Sequence, residues 1–205
     1  SSSVGRICGG PYPVINSTDG TVFVVDDDAD VRDSVCALLE SAGLAAEPFD
    51  SALAFLAAYQ ASRHGCVIAD VRMPDMDGMA LQEELRKSGS TLSVIVITGH
   101  ADVPLAVRAM KAGAVDFIEK PFDDQALIAS VKRALAQADS TREQASAAQK
   151  AGALIATLSA RERQVLELLV AGRSNKVIAY ELDISPRTVE IHRAHVMEKM
   201  EAKSL

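Results

Sequence analysis

The sequence predicts a five-stranded, parallel, doubly wound α/β domain joined by a helical segment to a smaller all-α domain with a helix-turn-helix. Over residues 21–138, apolar runs typical of buried strands alternate five times with stretches of helical periodicity. Residues 139–153 are rich in Ala, Gln and other residues that favour helix. Residues 154–205 form short amphipathic segments that begin at capping signals.

Each strand candidate in the first domain is a short apolar run. The five runs are Val22–Val25, Ala45–Phe49, Cys66–Ala69, Val94–Ile97 and Val115–Ile118. Helical segments are expected near 31–42, 51–61, 78–88, 102–112 and 123–138. Repeats of this kind form parallel sheets with right-handed crossovers and helices on both faces. Side chains that follow the strands should therefore meet at one edge of the sheet.

The segment 139–153 has two interpretations, a flexible linker or a helix. It contains no Pro and no Gly before Gly152, and its composition favours helix. We expect the fifth helix to continue as a connecting rod to about Gly152.

The second domain carries helix start signals at regular intervals. Ser159 and Glu162 have the spacing of a capping box. Ser174 and Ser185 are candidate caps, and Pro186 follows at the first position of the last helix. Two short helices joined by a turn of three or four residues form the helix-turn-helix pattern.

Three further features of the sequence bear on where the protein is found: its first 20 residues, its cysteines and the length of its apolar runs. Residues 1–20 lack an initiator Met and the pattern of a secretory signal, and we expect a tag remnant or a disordered segment. Cys8, Cys36 and Cys66 carry no metal or redox spacing and are expected to be free thiols in a reducing cytoplasm. No run approaches the roughly 18 apolar residues of a membrane helix, so no membrane partner is expected.

Charge is distributed unequally along the chain, whose net charge is −7. Residues 21–138 hold 18 acidic and 10 basic side chains, whereas residues 150–205 hold 7 acidic and 9 basic ones. An acidic first half and a mildly basic second half indicate two modules with different partners.

Charged and hydroxyl side chains follow four of the five predicted strands. Asp26 and Asp27 follow the first, Asp70 the third, Thr98 the fourth and Lys120 the fifth. Three carboxylates with a backbone carbonyl and waters suit Mg²⁺. Asp70 is then the candidate nucleophile, forming an acyl phosphate. Lys120 would pair with a phosphoryl oxygen, and the Thr98 hydroxyl would supply a hydrogen bond.

The third acid of the "DDD" run, Asp28, lies just ahead of the first predicted helix. A carboxylate in this position is stabilised by the helix dipole, so we expect Asp28 to cap the helix. Pro121 follows Lys120, where a cis peptide bond is the alternative to the commoner trans form.

The last helix has two distinct faces at 100° per residue. Val196 and Met200 fall close to Val189 and define a buried stripe. The opposite face carries Arg187, Ile191, Ala194 and Glu198, with Glu190 and His195 at its edges. Apolar residues at the centre of an exposed face suit a helix in the DNA major groove, where they meet thymine methyl groups.

Residues 21–138 resemble the flavodoxin-like receiver domain of the response regulators of bacterial two-component signalling. The resemblance rests on the paired acids, Asp70 before "VRMPDMDG", Thr98, and Lys120 before Pro121. It implies that Asp70 is the phosphoacceptor and that Asp26 and Asp27 are metal-site acids. It adds the main-chain carbonyl of Arg72 as an Mg²⁺ ligand, and Phe117 as the aromatic that switches together with Thr98.

The segment "LSARERQVLELLVAGRSNKVIAYELDISPRTVEIHRAHVMEKM" resembles the LuxR/FixJ-type (NarL/FixJ-like) DNA-binding domain. The resemblance implies that Glu190, Ile191 and Ala194 read bases. Phosphate contacts are then expected from Lys176, Arg187, Thr188 and Lys199. His192 is a structural histidine or a phosphate contact, and Arg193 contacts DNA or pairs with Glu190. Such domains have a further helix, which this sequence lacks, so a truncated end is expected.

Together these resemblances imply a cytoplasmic, phosphorylation-activated transcriptional regulator rather than an enzyme. Its expected partners are a sensor histidine kinase, double-stranded promoter DNA, RNA polymerase and, on phosphorylation, a second copy of the chain. One alternative is a pseudo-receiver that works without phosphorylation. Another is an Mg²⁺-dependent phosphatase of the haloacid-dehalogenase type, although Arg72 stands where that class needs a second Asp.

Overall fold

The computed structural model describes residues 20–100 and 102–202. Two compact units make up the chain, the first up to Arg142 and the second from Glu143. The expected tag remnant and Cys8 lie outside the described residues. Within the described ranges, no helix combines the length and apolar content that a bilayer crossing requires.

The first unit contains the predicted five-stranded parallel sheet, with strand order β2-β1-β3-β4-β5. The strands are β1 Thr21–Val25, β2 Ala46–Phe49, β3 Gly65–Asp70, β4 Ser93–Thr98 and β5 Asp116–Glu119. The three central strands are almost fully buried, as expected for a sheet covered on both faces. The predicted fold class is confirmed for both units.

Helices cover both faces of this sheet. They are α1 Ala29–Ser41, α2 Ala52–Ala58, α3 Gly78–Lys87, α4 Val103–Lys111 and α5 Asp124–Ala156. Helices α1 and α5 pack on the face that carries Val22 and Val24. Helices α2, α3 and α4 pack on the opposite face, around Phe23 and Val25. Alternation of side chains along β1 therefore supplies both halves of the core.

The fifth helix is a single element of 33 residues. It continues beyond Gly152, the expected end, and stops at Ala156. Its first half buries Leu127, Val131 and Ala134 against the sheet, whereas residues 141–153 are all exposed. The exposed half depends on intrinsic helix propensity, which is high for Ala and Gln.

Three helices follow in the second unit, α6 Ala160–Val170, α7 Asn175–Glu181 and α8 Pro186–Lys199. The capping box predicted for Ser159 and Glu162 is formed at the start of α6. Ser185 caps α8 through the backbone N–H of Thr188. Ser174 occupies the N-cap position of α7, but its side chain accepts no capping hydrogen bond, so this predicted cap is formed by backbone position alone.

A small apolar core joins these three helices. Val165 of α6, Ile178 and Ala179 of α7, and Val189 of α8 form one buried cluster. Leucines from α6 and the turn after α7 pack against it. The second unit is thus an all-helical domain whose last helix is held by side chains from the two preceding ones.

Asp28 caps α1, as predicted. One of its carboxylate oxygens accepts hydrogen bonds from the backbone N–H groups of Asp30 and Val31, at 2.9 and 3.3 Å. These N–H groups have no partner inside the helix, so the cap satisfies donors that would otherwise need water.

The capping role of Asp28 gives a testable prediction. Asp28→Ala removes the acceptor and should lower the free energy of unfolding by about 1 kcal/mol, measured by urea denaturation followed by circular dichroism. Asp28→Asn keeps an acceptor oxygen and should cost much less. Equal destabilisation by the two substitutions would contradict the capping role.

Candidate functional site

The candidate site lies at the carboxyl edge of the sheet, where four strand ends are in register. Val25 pairs with Ala69, Asp70 with Ile97, and Thr98 with Glu119. Asp70 and Thr98 are the last residues of their strands, and Asp26 and Lys120 immediately follow theirs. The sheet therefore brings these four predicted residues to one edge.

The ammonium group of Lys120 lies between two carboxylates. Its Nζ is 2.6 Å from Oδ2 of Asp26 and 2.9 Å from Oδ1 of Asp70. Both acids are almost completely buried, at 1% and 5% exposure. Two buried negative charges thus share a single positive charge, and this group of three carries a net charge of −1 when all are ionised.

Every polar atom of Asp26 takes part in a hydrogen bond. Its N–H donates to the carbonyl of Phe49, and its own carbonyl accepts from the guanidinium of Arg32 at 2.7 Å. Oδ1 accepts the backbone N–H of Asp28 at 2.9 Å, and Oδ2 accepts Lys120. The carboxylate is therefore fixed in orientation. The contribution of Arg32 was not predicted; a single cation within an acidic segment is the only signal for it in the sequence.

Asp70 has one oxygen on Lys120 and the other on a backbone donor, the N–H of Arg72 at 2.8 Å. Burial raises the pKa of Asp70, although Lys120 and the Arg72 N–H oppose this change. Burial acts in the opposite sense on Lys120, but its hydrogen bonds with Asp26 and Asp70 prevail and raise the pKa of the ammonium group. A second cation near Asp70 would favour its ionised form further.

Asp27 differs from its neighbour Asp26. It is exposed and lies in a bend just after the end of β1. Among residues 20–100 and 102–202, no three His, Cys, Asp or Glu side chains are grouped as a metal site. Of the three expected acids, the structure therefore brings together Asp26 and Asp70, with Lys120 between them. Their oxygen donors have the chemistry that a hard cation requires.

Thr98 is fully buried, and its hydroxyl is engaged by the backbone of the loop that follows β4. Oγ1 donates to the carbonyl of His100 and accepts from its N–H, each at 3.2 Å. The carbonyl of Thr98 accepts the N–H of Lys120 at 2.7 Å. Phe117 is half-buried and packs with the cluster on the α2, α3 and α4 face. The peptide bond between Lys120 and Pro121 is cis.

Gly78, the first residue of α3, approaches the site more closely than any other residue type could. A Cβ atom built on it would lie 2.4 Å from the carbonyl oxygen of Asp70 and 3.3 Å from the Cβ of Ala69. This helix start therefore packs directly against the end of β3. This role was not predicted, although the "MDG" motif after the candidate nucleophile is a signal for it.

The second candidate site is the exposed face of α8. Val189 and Val196 are fully buried, as predicted, and Met200 is half-buried immediately after the helix. The predicted exposed face is also observed, with Ile191 at 50% exposure. Its members are Arg187, Glu190, Ile191, Ala194, His195 and Glu198. An exposed apolar centre is thus present on this helix.

Two basic residues of this helix have partners that the sequence did not indicate. Lys199 pairs with Glu162, Nζ to Oε2 at 2.7 Å, although a phosphate contact was expected. Arg193 donates to Asn175 at 3.4 Å, and within the described ranges no ion pair joins it to Glu190. Nδ1 of His192 is buried without a described partner. Lys176 and Arg187 are exposed, and Thr188 shares a hydrogen bond with the cap Ser185.

Two family models match the chain, one in each unit. The response regulator receiver domain matches residues 22–132. The luxR family of bacterial regulatory proteins matches residues 156–205. Each matched range contains one of the candidate sites.

Curated relatives match almost the whole chain. The transcriptional regulatory protein FixJ of Bradyrhizobium diazoefficiens is 52% identical over 189 residues, 92% of each chain. That of Azorhizobium caulinodans is 55% identical over 184 residues, 90% of this chain and 87% of the relative.

Solved structures agree with these relatives. The response regulator StyR is similar with a TM-score of 0.77 at 42% identity, covering 91% of this chain and 94% of that chain. Full-length FixJ from B. japonicum is similar with a TM-score of 0.57 at 52% identity, covering 90% and 91%. The chain therefore belongs to the FixJ-like two-component response regulators, transcriptional regulators that join a receiver domain to a DNA-binding helix-turn-helix domain and are not enzymes.

Proposed function

We propose that phosphoryl transfer from a sensor histidine kinase to Asp70 switches this regulator. The observation that carries the proposal is the buried Asp70 carboxylate, 2.9 Å from the Lys120 ammonium at the edge of the sheet. A fixed carboxylate beside a fixed cation is the arrangement that phosphoryl transfer requires, because such transfer depends on positioning and charge neutralisation. The joint presence of Asp26, Asp70 and Lys120 at this edge disfavours a pseudo-receiver that works without phosphorylation.

In the proposed step, an oxygen of Asp70 attacks the phosphorus of a phosphohistidine. The new O–P bond forms as the N–P bond breaks, and the electron pair stays on the imidazole nitrogen, which takes up a proton. Lys120 then pairs with an oxygen of the phosphoryl group. Asp26 keeps Lys120 in place throughout, because their hydrogen bond does not involve the reacting carboxylate.

Asp26, Asp27, Asp70 and the main-chain carbonyl of Arg72 would hold Mg²⁺. The bound ion would neutralise charge on the carboxylates and on the incoming phosphoryl oxygens. The net negative charge of the group formed by Asp26, Asp70 and Lys120 supports this assignment, since one more cation improves the balance.

Thr98 and Phe117 are proposed as the switch. To reach a phosphoryl oxygen, the Thr98 hydroxyl must leave its two hydrogen bonds with the His100 backbone. Neutral hydrogen bonds contribute about 1 kcal/mol each, and a bond to a charged phosphoryl oxygen is about twice as strong. The two states are then close in free energy, so phosphorylation can shift their populations. Phe117 would move as Thr98 moves.

A change on the surface of α4, β5 and α5 would carry the signal to a second copy of the chain. Val103, Val107 and Met110 form an exposed apolar stripe on α4, at 76, 45 and 49% exposure. Their i, i+4, i+7 spacing places them on one side of the helix. This stripe supports homodimerisation on phosphorylation, which would match a promoter site with two-fold symmetry.

In the DNA complex, Glu190, Ile191 and Ala194 are proposed to read bases and Lys176, Arg187 and Thr188 to contact phosphates. The phosphate contact expected of Lys199 is not retained, because its ammonium group pairs with Glu162. The exposure of Ile191 supports the first group, and that of Lys176 and Arg187 the second.

The domains proposed are 21–138 for the receiver, 139–153 for the helical linker and 154–205 for DNA binding. Further proposals are RNA polymerase as a partner and a cytoplasmic location.

The phosphoacceptor assignment predicts the behaviour of one substitution. Asp70→Asn should abolish incorporation of phosphoryl groups from acetyl phosphate in the presence of Mg²⁺, because an amide oxygen is not a competent nucleophile. Asp75→Asn is the matched control, since Asp75 has a positive φ of 64° that Asn tolerates. Mass spectrometry measures the added phosphoryl group, and normal labelling of Asp70→Asn would refute the assignment.

The base-reading assignment predicts a change in sequence preference. A glutamate accepts from the amino group of cytosine, whereas a glutamine forms two hydrogen bonds with adenine. Glu190→Gln should therefore shift one position of each half-site from C towards A. Selection of duplex DNA by full-length protein, with and without a phosphoryl donor, measures this preference. Glu198→Gln is the control, and an unchanged site for Glu190→Gln would argue against base contact.

A further inference from the structure

Glu162 is a buried acid in the DNA-binding unit, where most carboxylates are exposed. Only 4% of the residue is exposed. Its Oε2 accepts the backbone N–H of Ser159 at 2.7 Å and the ammonium of Lys199 at 2.7 Å. Its Oε1 lies 3.6 Å from Nδ1 of His195. Both side chains that face it belong to α8, the helix with the exposed DNA-reading face.

The capping box explains only part of this arrangement. A capping glutamate needs one acceptor oxygen for the N-cap N–H, and glutamine serves equally well. The second contact, with Lys199, is an ion pair between different helices. The hydrogen bond to Lys199, followed by the backbone bond to Ser159, lowers the pKa of Glu162 to about 2. Glu162 is therefore ionised at neutral pH, and its charge needs a partner.

Lys199 is the last residue of α8, and its ammonium group is engaged in this ion pair. Its Nζ also lies 3.5 Å from the carbonyl oxygen of Thr157, just before α6. If Lys199 turned to a DNA phosphate, it would leave a buried carboxylate without its closest cation. Only the carboxylate of this pair is buried, since the Lys199 side chain is 39% exposed, but leaving a buried carboxylate without its cation is unfavourable. The ion pair with Glu162 therefore opposes a phosphate contact by Lys199.

We propose that Glu162 is a positioning residue for DNA binding, which holds the C-terminal half of the recognition helix α8 through Lys199 and His195. The inference rests on α8 as the DNA-reading helix. Val189 fixes the first half of α8 in the apolar cluster, and Glu162 fixes the second half. Two attachment points set both the rotation and the tilt of the helix, so Lys199 acts through Glu162 and not on a phosphate.

Salt dependence of DNA binding distinguishes these two roles of Lys199. Each phosphate contact steepens the dependence of log K on log salt by about 0.9. Full-length protein treated with acetyl phosphate is titrated onto a 30-base-pair duplex of mixed sequence at several salt concentrations. Lys176→Met, on an exposed lysine of α7, should flatten the slope by about 0.9. Lys199→Met should leave the slope unchanged.

Glu162→Gln tests the positioning role, because Gln keeps the capping acceptor and removes only the charge. Well below its unfolding temperature, it should weaken duplex binding about tenfold, the lower end of the loss expected for a hydrogen bond to a charged group, with an unchanged salt slope. Lys199→Arg, which keeps the ion pair, should bind as the unsubstituted protein does. Unchanged affinity of Glu162→Gln would show a purely structural residue and overturn the proposal.

Thermal unfolding tests the pair itself. Lys199→Met should lower the midpoint, and the double variant Glu162→Gln/Lys199→Met should be more stable than Lys199→Met alone, since a neutral amide needs no cation. Additive effects, or a flatter salt slope for Lys199→Met, would overturn the proposal. If the unsubstituted protein bound duplex without salt dependence, the DNA-binding role of α8 would fail, and the thermal coupling would still decide whether the pair exists.

Discussion

The receiver unit depends on one interaction, the position of the Lys120 ammonium between the buried carboxylates of Asp26 and Asp70. Without that cation, two negative charges would lie side by side at the edge of an apolar sheet, which is strongly unfavourable. With it, both carboxylates are held in orientation by hydrogen bonds to one cation. The pair of short contacts, 2.6 and 2.9 Å, links the ends of β1, β3 and β5 across the sheet. The site therefore also holds the three strand ends together. A change in charge at Asp70 alters the interactions of Lys120, which directly follows β5.

The parallel register of the sheet is what brings the three residues together. Asp26 follows β1, Asp70 ends β3, and Lys120 follows β5, although 94 residues separate Asp26 from Lys120 along the chain. The sequence was sufficient to predict this meeting, because parallel strands place their carboxyl ends at one edge. The same reasoning predicted the role of Asp28, since helix capping depends only on local sequence. Strands, helices and the buried stripe of α8 followed from periodicity alone.

Other features could not be predicted, because they depend on distances that periodicity does not contain. The outward orientation of Asp27, the hydrogen bonds between Thr98 and the His100 backbone, and the close approach of Gly78 to Asp70 are set by loop geometry. The pair of Glu162 and Lys199 joins residues 37 positions apart in different helices. From the sequence, Glu162 was expected to cap a helix and Lys199 to contact a DNA phosphate. Neither expectation indicates that the two side chains meet.

The two charged groups of this protein differ in their balance, and the difference matches their proposed roles. At the receiver site, two carboxylates share one ammonium, so an additional cation or a neutralising bond at Asp70 lowers the electrostatic free energy. In the DNA-binding unit, the buried charge of Glu162 is matched by Lys199, with the His195 imidazole 3.6 Å away, and removing Lys199 would raise the electrostatic free energy of the carboxylate. Added positive charge stabilises the receiver group, which carries a net negative charge, whereas it gives no such gain to the neutral pair of Glu162 and Lys199. Charge balance thus separates the part of the protein that receives a signal from the part that must hold a fixed surface for DNA.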